Sequence, residues 1–316
     1  MRGDVFARSA TFRDVDAFAA AIEGTGGSVI PMAAGPWHAS LALVGLGDML
    51  LYRGDVPPQI RRGATVPGDA VLLSRAAAGS VLYQGHAFQP GEIVLLGERA
   101  PVDTHFRQPT VWSGAQFAPG RLAALAEGWG PRMPSSGQHA ILHLGEAGCA
   151  HLMATIEGAI ARATGPSALM ASPACRAGLR ESVEVAVQRA LAGPLAWVEQ
   201  PRATLQHMRI VGAANELLAD GSGAFRTVSD LAAALRVAPR TLHRAFAAVY
   251  GCSPLTYLKR WRLSRVRAAL LAEEGAAPPL VKTAALDNGF WHLGRFAQDY
   301  RAMFGEHPSE TRRGAG

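Results

Sequence analysis

The apolar positions of this chain follow two different rhythms. From about residue 29 to 117, short apolar runs (SLALVGL, MLLYRGD, AVLLSRA, SVLYQGHAF, EIVLLGE and TVWSGAQF) alternate with Gly/Pro turns. Short β-rich runs at regular spacing predict an antiparallel β-sandwich or barrel. The phrase Val66-Pro-Gly-Asp-Ala-Val-Leu-Leu returns 23 residues later as Gln89-Pro-Gly-Glu-Ile-Val-Leu-Leu. Each Pro-Gly fits a type II turn, in which Pro presets φ and Gly accepts a positive φ.

On either side the period lengthens towards 3.6. Residues 11–23 read as a short amphipathic helix, and helices are predicted over 120–128, 148–164, 173–192 and 202–219. In the third of these, Ser172 caps, Pro173 stands at the first helical position, and Leu179, Val183, Ala186 and Ala190 share one face. That face predicts either a cover for the barrel or a dimer contact. Asp220-Gly-Ser-Gly-Ala reads as a flexible break.

Beyond the break, the pattern predicts two helix-turn-helix units. Thr227 and Asp230 can cap a first helix, followed by a short turn and a second helix over Pro239–Tyr250, stopped by Gly251. At 100° per residue, Leu242, Ala245, Phe246 and Val249 share one face of that second helix, and Arg240, His243 and Arg244 share the other. A long helix runs from Ser253-Pro254 to about Leu271. The second unit comprises a helix at about Leu280–Asp287 and another over His292–Phe304. In the latter, Phe296, Tyr300, Met303 and Phe304 form the inward side, and Gly294, Arg295 and Gln298 lie outward near its N-terminus.

Charge changes the picture. Residues 201–316 carry 16 Lys/Arg against 9 Asp/Glu, whereas residues 1–200 carry 15 against 16. The window from Arg236 to Arg267 holds eight basic residues and no acid. A one-signed helical region reads as a phosphate-facing surface, because a merely solvated one mixes signs for i,i+4 pairing. The length of 316 residues suggests two domains, divided as 1–200 (barrel 29–117, helices 120–192) and 201–316. Three separated cysteines, no basic-then-apolar leader and no long apolar run predict a cytoplasmic protein, placed at the nucleoid, with no membrane partner.

These residues carry a family resemblance. The region from about 204 to 313 resembles the DNA-binding domain of AraC/XylS transcriptional regulators. The resemblance rests on Leu231-Ala232, Pro239-Arg-Thr-Leu-His-Arg-Ala-Phe246, Gly251-Cys-Ser-Pro254, Tyr257-Leu258, Arg262-Leu263, Arg267, Ala284-Ala285, Gly289-Phe290, Phe296, Tyr300, Phe304-Gly305 and Pro308-Ser309. The stretch Gly289–Tyr300 is particularly similar to the branch that includes the ethanolamine-operon activator. Departures are Ala238 and His292 at positions where Ser often caps, Leu293 and Gly294 where polar residues are common, and Thr311 where Tyr is usual.

The resemblance implies an α+β protein. Its N-terminal part would be a cupin-like β-barrel with flanking helices, for effector sensing and dimerisation. Its C-terminal part would be an all-α domain of two helix-turn-helix units joined by a long helix. The expected partners are double-stranded operator DNA, read in two successive major grooves, RNA polymerase, an unidentified small-molecule effector, and a second copy in a homodimer. The expected DNA-contacting residues are Arg240, Thr241, His243, Arg244, His292, Leu293, Gly294, Arg295 and Gln298. The expected ligand walls are Trp37, Tyr52, Tyr83, Phe88 and Trp112.

The expected function is a ligand-responsive activator of a nearby catabolic or metabolic operon. The alternatives are a repressor with the same DNA-binding mode and a cupin-type metalloenzyme fused to the DNA-binding domain. A cupin metal site gathers close His pairs with a carboxylate. Here only His86 and Glu92 share a turn, there is no His-x-His, and the other histidines are scattered. Ser113-Gly114, Ser135-Ser136 and the Cys149/His151 pair lack a nucleophile context, and no phosphate-binding or dinucleotide motif occurs. No catalytic residue, metal or cofactor is therefore expected.

Overall fold

In the computed structural model, the described residues are 4–22, 28–33, 37–62, 64–75, 77–127, 133–165, 168–192, 196–199, 201–219, 225, 227–271 and 279–314. The predicted break at 220–224 lies outside them.

The N-terminal half is built on two antiparallel sheets. The larger comprises β1 (Val5–Phe12), β3 (Ala39–Leu46), β4 (Met49–Val56), β6 (Asp69–Arg75), β9 (Glu92–Leu96), β11 (Thr110–Phe117), β12 (His139–His143) and β13 (Ala196–Trp197). Its spatial order is β1-β3-β4-β11-β6-β9-β12-β13. The smaller comprises β2 (Ser28–Pro31), β5 (Gln59–Arg62), β7 (Val81–Tyr83), β8 (His86–Ala87) and β10 (Thr104–Phe106), in the order β2-β5-β10-β7-β8.

Among the described residues the two sheets share no ladder. The strands of the expected cupin-like barrel are thus arranged as two facing sheets, with no closing ladder among the described residues.

Period-2 alternation sends successive residues of the large sheet to opposite layers. Leu41, Leu43, Tyr52, Val94 and Leu96 pack towards the small sheet. Val44, Leu46, Leu51, Val71, Leu73, Ile93 and Leu95 pack towards the helices. Burial on both faces explains why these strands read as continuous apolar runs rather than clean alternations.

The helices are α1 (Val15–Ala21), α2 (Arg121–Ala126), α3 (Glu146–Thr164), α4 (Ala168–Ala171), α5 (Pro173–Ala192) and α6 (Arg202–Ala219), followed by α7 (Val228–Ala234), α8 (Pro239–Tyr250), α9 (Pro254–Leu271), α10 (Val281–Asp287), α11 (Leu293–Phe304) and α12 (Pro308–Gly314). In α5, Leu179, Val183 and Ala186 sit with Val187 and Leu191 in the core against α3 and the large sheet. That face covers the sheet.

Three further expectations are corrected. The helix foreseen over 11–23 begins only at Val15, because Asp14 caps it by accepting from Ala17 N–H at 2.8 Å, and the preceding residues pair as β1 with β3. His139–His143, within a region read as helical, joins the sheet beside β9. The repeated phrases form β6 and β9, which are direct antiparallel partners, but their glycines differ. Gly91 has φ +85°, whereas Gly68 is absent from the left-handed positions. A Cβ at Gly68 would lie 2.1 Å from the Phe117 carbonyl oxygen, so close backbone approach demands glycine there.

Candidate DNA-reading surface and ligand cavity

The first helix-turn-helix is α7–α8. Thr227 Oγ1 accepts from Asp230 N–H at 3.1 Å, and the Asp230 carboxylate accepts from Thr227 N–H at 2.8 Å, a reciprocal cap. Pro239 opens α8 without a side-chain cap from Ala238. Leu242, Ala245, Phe246 and Val249 are buried, while Arg240, His243 and Arg244 are exposed and Thr241 is half-buried. Asn215 of α6 binds both neighbouring phenols: its Nδ2 donates to Tyr250 Oη at 2.7 Å, and Tyr257 Oη donates to its Oδ1 at 2.8 Å. The two tyrosine rings stack at 5.0 Å with planes 8° apart. This polar clasp fixes the pose of α8 on α6 and α9.

The second unit is α10–α11. Phe296, Tyr300 and Met303 are buried and Phe304 is partly so, while His292, Leu293, Gly294, Arg295 and Gln298 are exposed. His292 makes no side-chain cap. A Cβ at Gly294 would meet nothing within 4 Å, so no helix contact within the chain requires glycine there. Thr311 is buried and bonds Tyr300 Oη at 2.9 Å and Glu306 Oε1 at 2.5 Å.

The acid-free window divides into two classes. Arg236, Arg240, Arg244 and Arg265 are exposed. The other four basic residues are engaged by partners within the chain. Lys259 pairs with Asp299 at 2.7 Å, Arg260 donates to the Pro31 carbonyl, and Arg262 donates to the Phe225 carbonyl. Arg267, almost fully buried, pairs with Asp14, with Glu306 and, at 2.9 Å, with Asp16. Burial alone would lower its pKa, but the bond to Glu306 and the charge of Asp14 outweigh it and hold the guanidinium charged. The whole window is therefore not a phosphate face.

Between the two sheets lies a cavity of about 70 Å³. Tyr52, Tyr83, Phe88 and Trp112 line it, together with Phe18 and Ile22 from the α1 region. Trp37 does not line it. Instead it packs edge-on behind Phe18, with ring centroids 5.1 Å apart.

Two glycines shape the wall. In the β4–β11 register, Gly54 faces Trp112 and Gly114 faces Tyr52. A Cβ at Gly54 would fall 2.4 Å from Trp112 Nε1, and one at Gly114 would fall 2.3 Å from the Tyr52 ring. Each ring thus lies across the glycine of the facing strand, and the rings meet at 5.4 Å.

The small sheet has a second face. Ile30 and Ile60 belong to the same apolar cluster as α6, α8 and α9. Gln59, Val81, Tyr83, Thr104 and Phe106 line the cavity from one side of this sheet. On the other side, Leu82 Cδ1 and His105 Nδ1 both lie 3.4 Å from where a Cβ on Gly251, at the end of α8, would stand. Burial first, then Arg107, lowers the His105 pKa to about 4, against a hydrogen bond to the Tyr250 carbonyl, so the imidazole is neutral near pH 7. Pattern reading missed this contact, because a strand as short as Thr104–Phe106 carries no detectable period.

No metal cluster occurs among the described residues. Glu92 holds His86 at 2.8 Å and the Gln89 N–H at 2.8 Å, a satisfied local pair. Burial, assisted by Glu92, pushes the Cys149 thiol up to about 12, which leaves it without nucleophilic character. Among the described residues no helix is long and apolar enough to cross a membrane.

Residues 231–314 match the family model described as a helix-turn-helix domain. The XylDLEGF operon transcriptional activator of Pseudomonas putida is 41% identical over 87 residues, which cover 28% of this chain and 27% of that protein. The match thus spans about a quarter of that relative's length. A solved probable AraC family transcriptional regulator from Rhodopseudomonas palustris CGA009 is 38% identical over 34% of this chain and 97% of its own, with a TM-score of 0.29. The AraC-like transcriptional activator CuxR superposes over 81% of this chain and 94% of its own at 16% identity and a TM-score of 0.41. These relatives are transcription regulators rather than enzymes. Through its C-terminal helix-turn-helix domain, the chain belongs to the AraC/XylS family of transcriptional regulators.

Proposed function

We propose that this chain is a ligand-responsive transcription activator that binds operator DNA sequence-specifically. Residues 201–316 would read DNA, and residues 1–200 would sense an effector and form a homodimer. One observation carries the DNA-reading half. Two helices, α8 and α11, sink their apolar faces into one common core and hold Arg240/His243/Arg244 and Arg295/Gln298 outward. Arg bidentate to guanine, and Gln to adenine, supply base readout in a major groove. Thr241, His292, Leu293 and Gly294 flank these positions.

Ligand response is supported by the small sheet, which walls the cavity on one side and abuts α8 on the other. A molecule that favours one arrangement of that wall would bias the pose of the first reading head. RNA polymerase is the second partner of an activator. The target is taken to be a neighbouring metabolic operon. The likeness of Gly289–Tyr300 to the ethanolamine-operon branch concerns DNA reading alone and brings no ligand with it.

The test is a promoter reporter for the adjacent operon with and without the gene, beside binding of the full chain to the upstream DNA. Lower expression on deletion supports activation. Higher expression assigns repression, and no specific DNA binding removes the proposal.

A further inference from the structure

The two helices proposed to read DNA present different chemistry. In α8 the large apolar residues Leu242, Phe246, Val249 and Tyr250 are all buried, and the exposed Arg240, His243 and Arg244 make its outer face polar. At the start of α11 two large apolar residues close together in the chain stand in solvent. Trp291 is 62% exposed and Leu293 37%. Single exposed apolar side chains are ordinary on a protein surface, but this pair at the tip of one helix forms a local apolar patch.

The tip orders these groups. Leu293, Gly294 and Arg295 open α11. At about 100° per residue, Leu293 and Arg295 stand on opposite flanks of the helix, with Gly294 between them. A Cβ at Gly294 would meet nothing within 4 Å, so the middle of the tip is open. Trp291, His292 and Arg295 border one groove between α9 and α11, which sets the indole beside the guanidinium flank. The apolar patch is thus continuous with an exposed cation, whose charge complements a phosphate-bearing partner. That continuity selects DNA as the occupant.

We infer that α11 recognises thymine by its 5-methyl group, through Leu293 and Trp291, in base pairs beside the one that Arg295 contacts. This inference rests on the DNA reading proposed above and gives its second head a base class. In the major groove, base edges offer hydrogen-bond donors and acceptors, and thymine alone adds an alkyl group. A leucine side chain forms no hydrogen bond, so it gains by covering that methyl and not by covering a polar edge. Gly294 lets the tip approach the base plane closely enough for the contact. The two heads then divide the work. Arginines of α8 suit guanine, and the apolar tip of α11 suits thymine.

The experiment uses the full chain and the upstream DNA. Thymine is replaced by deoxyuridine within the patch that Arg295→Ala weakens and, as the control, within the patch that Arg244→Ala weakens. Uracil keeps the pairing edge and O4 and lacks only the methyl. The protein is untouched, so its folding does not enter. In the α11 patch each contacted methyl should be worth about 4-fold in affinity, the value of burying one methyl, against less than about 2-fold in the α8 patch. The double variant Trp291→Ala/Leu293→Ala should bind the thymine DNA more weakly and lose the uracil effect. Leu293→Met, which stays apolar, should keep it.

An α11 patch without thymine, no uracil effect there, an equal effect in both patches, or an undiminished effect in the double variant overturns the inference. Trp291→Ala that abolishes reporter activation at unchanged DNA affinity assigns the indole to a protein partner and overturns its role here. Failure of the chain to bind the thymine DNA removes the DNA reading itself, whereas binding that ignores the methyls removes this inference alone.

Discussion

Thr104 and His105 are consecutive residues of one short strand, and they serve different halves of the molecule. Thr104 lines the cavity, whereas the His105 ring stands against Gly251 and the Tyr250 carbonyl at the end of the first reading helix. The pleat of a β-strand imposes this division, because neighbouring side chains point to opposite faces.

The His105 contact makes stability depend on pH. The folded-state pKa lies at about 4, below the ordinary 6.5, so the unfolded chain binds the extra proton first. The stabilisation from neutral His105 is full above about pH 6.5 and is lost as pH falls towards 4, on the order of 2 kcal/mol by pH 5. Urea unfolding at pH 7.5 and pH 5 should show this difference, and His105→Gln should remove it. An equal pH effect in the variant contradicts the contact.

Arg267 should be among the most sensitive basic positions. Arg267→Leu strands Asp14, Asp16 and Glu306, which keep partial access to water. The loss should therefore fall at or somewhat below the 3–5 kcal/mol of a fully buried broken pair, at about 2–4 kcal/mol. Asp14→Asn should cost less than about 1 kcal/mol beyond its cap effect. Denaturation midpoints decide between these.

Gly54→Ala should displace Trp112, since the new Cβ would lie 2.4 Å from its Nε1. The expected cost is about 1–3 kcal/mol, as for other overpacked sites, with a change in Trp fluorescence. Unchanged stability and fluorescence would show that the ring does not lie across Gly54.

Gly294→Ala separates folding from DNA reading. The site is open space within the chain, and Ala is the better helix former, so stability should rise by up to about 1 kcal/mol. If close approach to DNA is the reason for glycine, affinity should fall in the same protein. Increased stability with unchanged affinity would show that DNA does not need the small residue.

The long helices were legible from the chain because their periods run over many residues. The bounds read for α5, α6, α8 and α9 agree with the structure. The tertiary partners were not legible, and the basic window shows why. Its acid-free sequence reads as a phosphate face only if partners are sought nearby. Arg267 instead draws Asp14 and Asp16 from the opposite end of the chain, and Arg260 takes the Pro31 carbonyl. Trp37 failed as a ligand wall for a related reason. Burial follows from its type, but which side of Phe18 it occupies follows from packing. The polar cavity residues Gln59, Ser74 and Thr104 were invisible, because nothing local distinguishes a buried polar side chain from a solvated one.

The central claim is that α8 and α11 are paired reading heads. Hydroxyl-radical footprinting of the full chain on the upstream DNA tests it most directly. Two protected patches about 10 base pairs apart on one face of the duplex are predicted. Arg244→Ala should weaken one patch and Arg295→Ala the other, each lowering affinity by about 1–3 kcal/mol. A full footprint at undiminished affinity in both variants would contradict the account.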